Sequence, residues 1–130
     1  MKFAFLSVFI FFFVGAVATS ATETTQAEAG LLRHIVMVQF KEETGSDKIK
    51  ALEAQFAALE DKIETIIDYE WGLASTAEKG LDQGFTHCFV VTFKDKSGLE
   101  VYLPHQAHQD FVKVFKPEIE KLLVLDYVSK

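Results

Sequence analysis

Residues 32–41 read LRHIVMVQFK, and residues 86–94 read THCFVVTFK. Both stretches are rich in β-branched and aromatic residues and lack the apolar spacing of a helix, so each predicts a β-strand. Successive side chains of a strand point to opposite faces of its sheet, and both stretches place apolar residues at odd and at even positions. The sequence therefore predicts two strands that are apolar on both faces.

The apolar side chains of these strands form two opposed sets. In the first strand, one face carries His34, Val36, Val38 and Phe40 and the other carries Ile35 and Met37; in the third strand, His87, Phe89, Val91 and Phe93 oppose Cys88 and Val90. Helices can cover only one face of the sheet, and burial of a large apolar side chain is worth about 1.5–3 kcal/mol. We therefore expect a homodimer in which two sheets pack together, and we expect Val38→Asp or Val91→Asp to lower dimer content and stability together.

The elements between the two strands are a helix and a further strand. Ser46 is a suitable N-cap, and the apolar residues Ile49, Leu52, Phe56, Leu59, Ile63 and Ile66 recur at spacings of three and four, which predicts one long helix. Residues 68–74, DYEWGLA, alternate and predict the second strand. A loop over residues 75–85 then leads into the third strand.

The C-terminal third predicts helices and a closing strand. Ser97 can cap a short helix that runs through Tyr102, and Pro104 breaks the chain before a second helix over residues 105–122, in which Pro117 marks another break. Residues 122–128, LLVLDYV, predict the last strand. The order βαββαβ predicts an α+β, ferredoxin-like protomer with a four-stranded antiparallel sheet and two helical segments on one face.

The N-terminus has the features of a secretory signal. Lys2 precedes an apolar run over residues 3–14, and Ala16-Val17-Ala18 supplies a cleavage pattern, so we expect a signal peptide over residues 1–18, with cleavage after Ala21 as the alternative. A retained membrane anchor is less favoured because the run is shorter than the roughly 20 residues that span a bilayer. Residues 19–31 predict a flexible linker before a domain over residues 32–130. We expect an exported protein, periplasmic or extracellular.

Composition excludes several classes of partner. The 130 residues contain 13 Lys plus Arg against 19 Asp plus Glu, a formal charge of −6, which disfavours nucleic acid and stable association with anionic membranes after signal cleavage. The single cysteine, Cys88, cannot form an intrachain disulfide or a cysteine metal cluster. We predict no cofactor.

Five motifs together resemble one known family. They are His34-Ile35-Val36, Trp71-Gly72, Gly84-Phe85-Thr86-His87, Tyr102-Leu103-Pro104-His105-Gln106-Ala107-His108 and Val124-Leu125-Asp126-Tyr127. On these residues the chain resembles the stress-responsive dimeric α/β barrel (Dabb) family, which includes plant stress proteins and a plant polyketide cyclase. The resemblance implies ferredoxin-like protomers that pair into a barrel, with a cavity between sheet and helices in some members.

The resemblance also implies a site at His108 and Tyr102, where the imidazole acts as general base and the phenol supports it. A histidine with an ordinary pKa of about 6.5 is suited to removing a proton next to a carbonyl, and a phenol can stabilise the oxygen where charge develops. The alternative is structural: Tyr102 packs over the break at Pro104 and His108 bonds to backbone. Export argues against a coenzyme-A-linked polyketide as the substrate.

Four further residues are candidates for ligand binding: His34, Trp71, His87 and His105. The four histidines could also bind a metal, but the His105–His108 spacing is weak evidence, and we predict no metal site. The favoured hypothesis is an exported barrel protein that binds an apolar small molecule between sheet and helices. The alternative is a proton-transfer enzyme of the cyclase, isomerase or lyase type that uses His108 and Tyr102 on a small carbonyl compound.

Overall fold

A computed structural model describes residues 29–130; the predicted signal peptide and most of the predicted linker lie outside them. The described elements, in chain order, are β1 (Leu32–Phe40), α1 (Ser46–Ala57), α2 (Leu59–Lys62), β2 (Ile66–Leu73), β3 (His87–Phe93), α3 (Lys96–Tyr102), α4 (Gln106–Phe115), a 3₁₀ turn (Lys116–Glu118) and β4 (Ile119–Val128).

The four strands form one antiparallel sheet in the order β2-β3-β1-β4. This order, with the helices on one side of the sheet, is the ferredoxin-like arrangement, so the fold class predicted for the protomer is confirmed. The two central strands, β1 and β3, are those whose sequences are apolar on both faces. A central strand has neighbours on both sides, and at least every second residue of β1 and of β3 is buried.

The first helical region is shorter than predicted. The helix is interrupted at Ala58 and ends at Lys62, and Ile66 is the first residue of β2. Ile63 is already extended, with φ −123° and ψ 104°. The apolar spacing continued past the end of the helix because Ile63 and Ile66 are both buried in the core that the helix covers. Gly45, not Ser46, is the N-cap, and no side chain caps this helix.

The C-terminal helices also differ from the prediction. Asp95, not Ser97, caps α3, and its carboxylate accepts a hydrogen bond of 2.9 Å from the backbone N–H of Ser97. Pro104 separates α3 from α4 as expected. However, α4 ends at Phe115, and β4 begins at Ile119 rather than at Leu122. Pro117 lies in the 3₁₀ turn between them, where a residue without an N–H cannot continue the α-helix.

The face of the sheet beneath the helices carries the core. Val38 and Val91 are completely buried in it, together with Phe89 and Phe93. Asp at Val38 or Val91 is therefore expected to lower stability, as predicted, but it does not isolate the pairing of two sheets. Both side chains point into the protomer's own core, where a carboxylate would unfold the protomer instead of separating two copies.

The opposite side of the sheet has no helix against it in residues 29–130. Strand register places seven apolar residues there, which we call the outer apolar face: Ile35, Met37, Cys88, Val90, Leu123, Leu125 and Tyr127. Leu125 is 53% exposed and Tyr127 is 46% exposed. A soluble protein rarely leaves so many neighbouring apolar side chains uncovered.

Candidate functional site

A pocket of about 240 Å³ lies between the inner face of β1 and β4 and helix α4. Its volume is just below the roughly 300–1,000 Å³ of ordinary ligand sites, which suits a small ligand. Its lining residues are mainly apolar: Val36, Phe56, Leu103, Phe111, Val112, Phe115, Leu122 and Val124, with His34, Tyr102, His108 and Lys116. An apolar pocket with a few converging polar groups is the usual form of a small-molecule site.

Three chain segments bring His34, Tyr102 and His108 together at this pocket. The ring of Tyr102 lies 5.8 Å from the ring of His34 and 4.3 Å from that of His108, measured between centroids. Tyr102 ends α3 and His108 lies in the first turn of α4. The break at Pro104 therefore folds the two residues back toward each other.

His108 is held as a neutral imidazole. Its Nδ1–H donates a hydrogen bond of 2.9 Å to the carbonyl oxygen of Leu103, which can only accept. The proton on Nδ1 leaves Nε2 as the nitrogen that can accept another. Burial lowers the pKa of His108; the hydrogen bond to Leu103 opposes this shift, and the nearby His34 and His105 add to it, so the pKa lies below its ordinary value. His108 is therefore an unprotonated base at neutral pH.

Asp126 pairs with His34, a contact that the sequence analysis missed. The Nδ1–H of the buried His34 donates to Asp126 Oδ1 at 2.6 Å, and the two residues are cross-strand partners on β1 and β4. The carboxylate fixes the orientation of the imidazole. The only sequence signal was one acid within the apolar run of β4.

Tyr102 remains a protonated donor. Its side chain is 1% exposed and also contacts the ring of Phe93, 5.2 Å away between centroids. Burial, with a smaller contribution from Tyr69, raises the pKa of Tyr102 well above its ordinary value. An O–H that does not ionise can hydrogen-bond an oxygen on which negative charge develops.

Three of the four residues predicted to bind ligand do not line the pocket. His105 caps α4, where its Nδ1 accepts a hydrogen bond of 3.1 Å from the backbone N–H of Ala107.

His87 and Trp71 lie together away from the pocket. The Nε2–H of His87 donates a hydrogen bond of 3.1 Å to Glu53, and its Nδ1 lies 2.8 Å from the Thr86 hydroxyl. The ring of Trp71 stacks on the ring of His87. Of the four residues predicted to bind ligand, only His34 lines the pocket.

Within residues 29–130, no three His, Cys, Asp or Glu side chains are grouped closely enough to hold a metal ion. The described helices are also too short or too polar for any of them to cross a bilayer.

Comparison with known proteins gives related enzymes as well as stress-response proteins. A stress-response A/B barrel domain-containing protein of Arabidopsis thaliana is 38% identical over 96 residues, 73% of this chain and 83% of the relative. Olivetolic acid cyclase of Cannabis sativa is 29% identical over 99 residues, 76% of this chain and 97% of the cyclase.

Among solved structures, a hydroxynitrile lyase of Passiflora edulis superposes with a TM-score of 0.73 at 25% identity, covering 78% of this chain and 94% of the lyase. More distant solved proteins described as dimeric and ferredoxin-like share the fold alone. Residues 32–129 match the Stress responsive A/B Barrel Domain as a family, which agrees with the resemblance seen in the sequence. This chain belongs to the stress-responsive A/B barrel family.

Proposed function

We propose that this protein binds a small, largely apolar carbonyl compound in the pocket and transfers a proton on it, with His108 as the base. The observation that carries the proposal is the state of His108. Its Nδ1 proton is committed to the Leu103 carbonyl, and its ring is buried, unprotonated and beside the Tyr102 hydroxyl-bearing ring. This combination is suited to general base catalysis in an apolar site.

The proposed reaction breaks a C–H bond next to the ligand carbonyl. Nε2 of His108 takes the proton, and the electron pair of that bond moves onto the carbonyl oxygen to form an enolate. The Tyr102 O–H donates a hydrogen bond to this oxygen, and the imidazolium then returns a proton to carbon. The His34 ring, oriented by Asp126, also lies beside Tyr102, 5.8 Å away between centroids, at the same pocket.

Two related proteins support chemistry at this site. One is named as a cyclase and the other as a lyase, so the proteins that are similar to this chain in sequence and fold include enzymes. The second candidate function is binding of an apolar molecule without chemistry, and the mainly apolar lining favours it. The two functions differ in whether bound ketone exchanges its protons.

Proton exchange provides the test of the proposed function. Methyl hexyl ketone incubated with the protein in heavy water should gain deuterium next to its carbonyl faster than in buffer alone, as followed by NMR. Tyr102→Phe should slow this exchange by roughly tenfold to a hundredfold, because one hydrogen bond to a charged oxygen is lost. Ketone that binds with no acceleration of exchange would favour the binding function instead.

We also propose that the protein is exported, because the N-terminal sequence has the charge, apolar run and small residues of a signal peptide. Protein recovered from its native host should begin at Thr19, and intact-mass measurement would show this. Cleavage after Ala21 would move that start to Thr22. A membrane-extracted form that retains Met1 would contradict the proposal.

We propose a homodimer as the assembled form. The outer apolar face is uncovered in the protomer, and a second copy presents the same apolar surface, so pairing buries both faces at once. Burial of a large apolar side chain is worth about 1.5–3 kcal/mol when it is complete, so pairing of the two faces contributes favourably to a dimer.

A further inference from the structure

A second polar group lies behind the wall of the pocket. Tyr69 is on the inner face of β2, and its hydroxyl is buried without a hydrogen-bond partner among the described residues. A buried hydroxyl left in this way costs roughly 1–3 kcal/mol, and folded proteins leave few of them unpaired. The proposed reaction does not use this residue.

Tyr69 lies in the same cross-strand row as the His34–Asp126 pair. The row on the inner face consists of Tyr69, Val91, His34 and Asp126, one residue from each strand. Two strand spacings of about 4.8 Å place the backbone of Tyr69 roughly 10 Å from that of His34. A short alkyl chain that carries an oxygen at each end is therefore of the length that a ligand reaching both positions needs.

Phe56 separates Tyr69 from the pocket. Its ring lines the pocket and lies 5.5 Å from the ring of Tyr69 between centroids. The other ring neighbours of Phe56 include Phe89 at 4.6 Å and Phe111 at 4.8 Å. These contacts are apolar, so a movement of the Phe56 side chain breaks no hydrogen bond. Binding of a ligand by both the pocket and the Tyr69 hydroxyl requires such a movement.

The surroundings of Tyr69 define the kind of group it could bind. Burial, followed by the charges of Glu53 and Glu60, raises the pKa of Tyr69 far above its ordinary value, so the residue is an O–H donor. The same two carboxylates disfavour an anion beside it. A neutral oxygen, such as a hydroxyl or a carbonyl, is the matching acceptor.

We propose that Tyr69 is a second recognition point of the pocket and binds a neutral oxygen at the far end of the ligand. This inference rests on the proposed function, because it places the ligand's reacting carbonyl at Tyr102 and His108. It defines the ligand class further, as a carbonyl compound with an apolar middle and a hydroxyl or second carbonyl at its other end.

Three ligands of matched length test the inference by calorimetric titration: methyl hexyl ketone, its terminally hydroxylated analogue and its terminal carboxylate analogue. Tyr69→Phe should weaken binding of the hydroxyketone by about tenfold and change binding of the plain ketone by less than about twofold. The carboxylate should bind wild-type protein more weakly than the hydroxyketone does. Tyr127→Phe, which alters a tyrosine on the opposite face of the sheet, is the matched control and should leave all three affinities unchanged.

The outcomes separate this inference from the proposed function. Equal effects of Tyr69→Phe on both ketones, or no effect on either, would overturn the role of Tyr69 and leave the carbonyl site standing. Wild-type protein that binds neither ketone would overturn both. Without ligand, Tyr69→Phe should not lower the melting temperature, because the hydroxyl has no hydrogen bond to lose; a clear fall would show a structural role and reject the inference.

Discussion

Replacing His108 by alanine should slow exchange of the protons next to the carbonyl of methyl hexyl ketone by about 10²- to 10⁴-fold, the usual contribution of a general base. The reason is that Nε2 of His108 is the proposed proton acceptor, and the alanine side chain has no group that can accept the proton. The measurement is the deuterium content of the ketone over time, with saturating ketone.

The pH dependence gives an independent check on this residue. His108 must be unprotonated to act, and burial lowers its pKa, so the wild-type rate should stay level through neutral pH and fall only below the ordinary histidine pKa of about 6.5. His108→Gln removes the titrating group with little change in size and should abolish this acid limb. If His108→Ala unfolds the protein while its folded fraction keeps full activity and affinity, His108 is structural.

Leu125→Glu should convert the proposed dimer into folded monomers, as measured by sedimentation velocity at micromolar concentration. Leu125 is on the outer apolar face and is 53% exposed in the protomer, so a carboxylate there remains hydrated in a monomer. In a paired assembly the same carboxylate would be buried in an apolar contact without a partner, which costs several kcal/mol.

Val101→Glu is the matched control for this substitution. Val101 is also a large exposed apolar residue, 46% exposed, but it lies on α3 and not on the sheet. It should leave the sedimentation coefficient unchanged. Wild-type protein that sediments as a folded monomer at micromolar concentration would reject the paired-sheet assembly. Where a dimer forms, its stability should depend on protein concentration.

Much of the fold could be predicted because its strongest signals are local. The apolar content of β1 and β3 identified them as strands, and turn residues separated the elements in the order that the structure shows. Helix ends were less predictable. Ile63 and Ile66 keep the helical spacing although Ile63 is extended and Ile66 begins β2, because both side chains are buried in the core that the helix covers. Apolar periodicity indicates which residues are buried, and burial alone does not distinguish a helix from the start of a strand.

The composition of the site was only partly predictable. The segment from Tyr102 to His108 is close in sequence, so its residues could be expected to act together. The His34–Asp126 contact joins residues 92 positions apart and depends on the register between β1 and β4. Strand register also places Tyr69 in the same cross-strand row as His34. His105 is occupied as the N-cap of α4 and does not line the pocket. Local sequence carries the chemistry of each side chain, whereas long-range strand pairing and the packing of helices on the sheet decide which side chains meet.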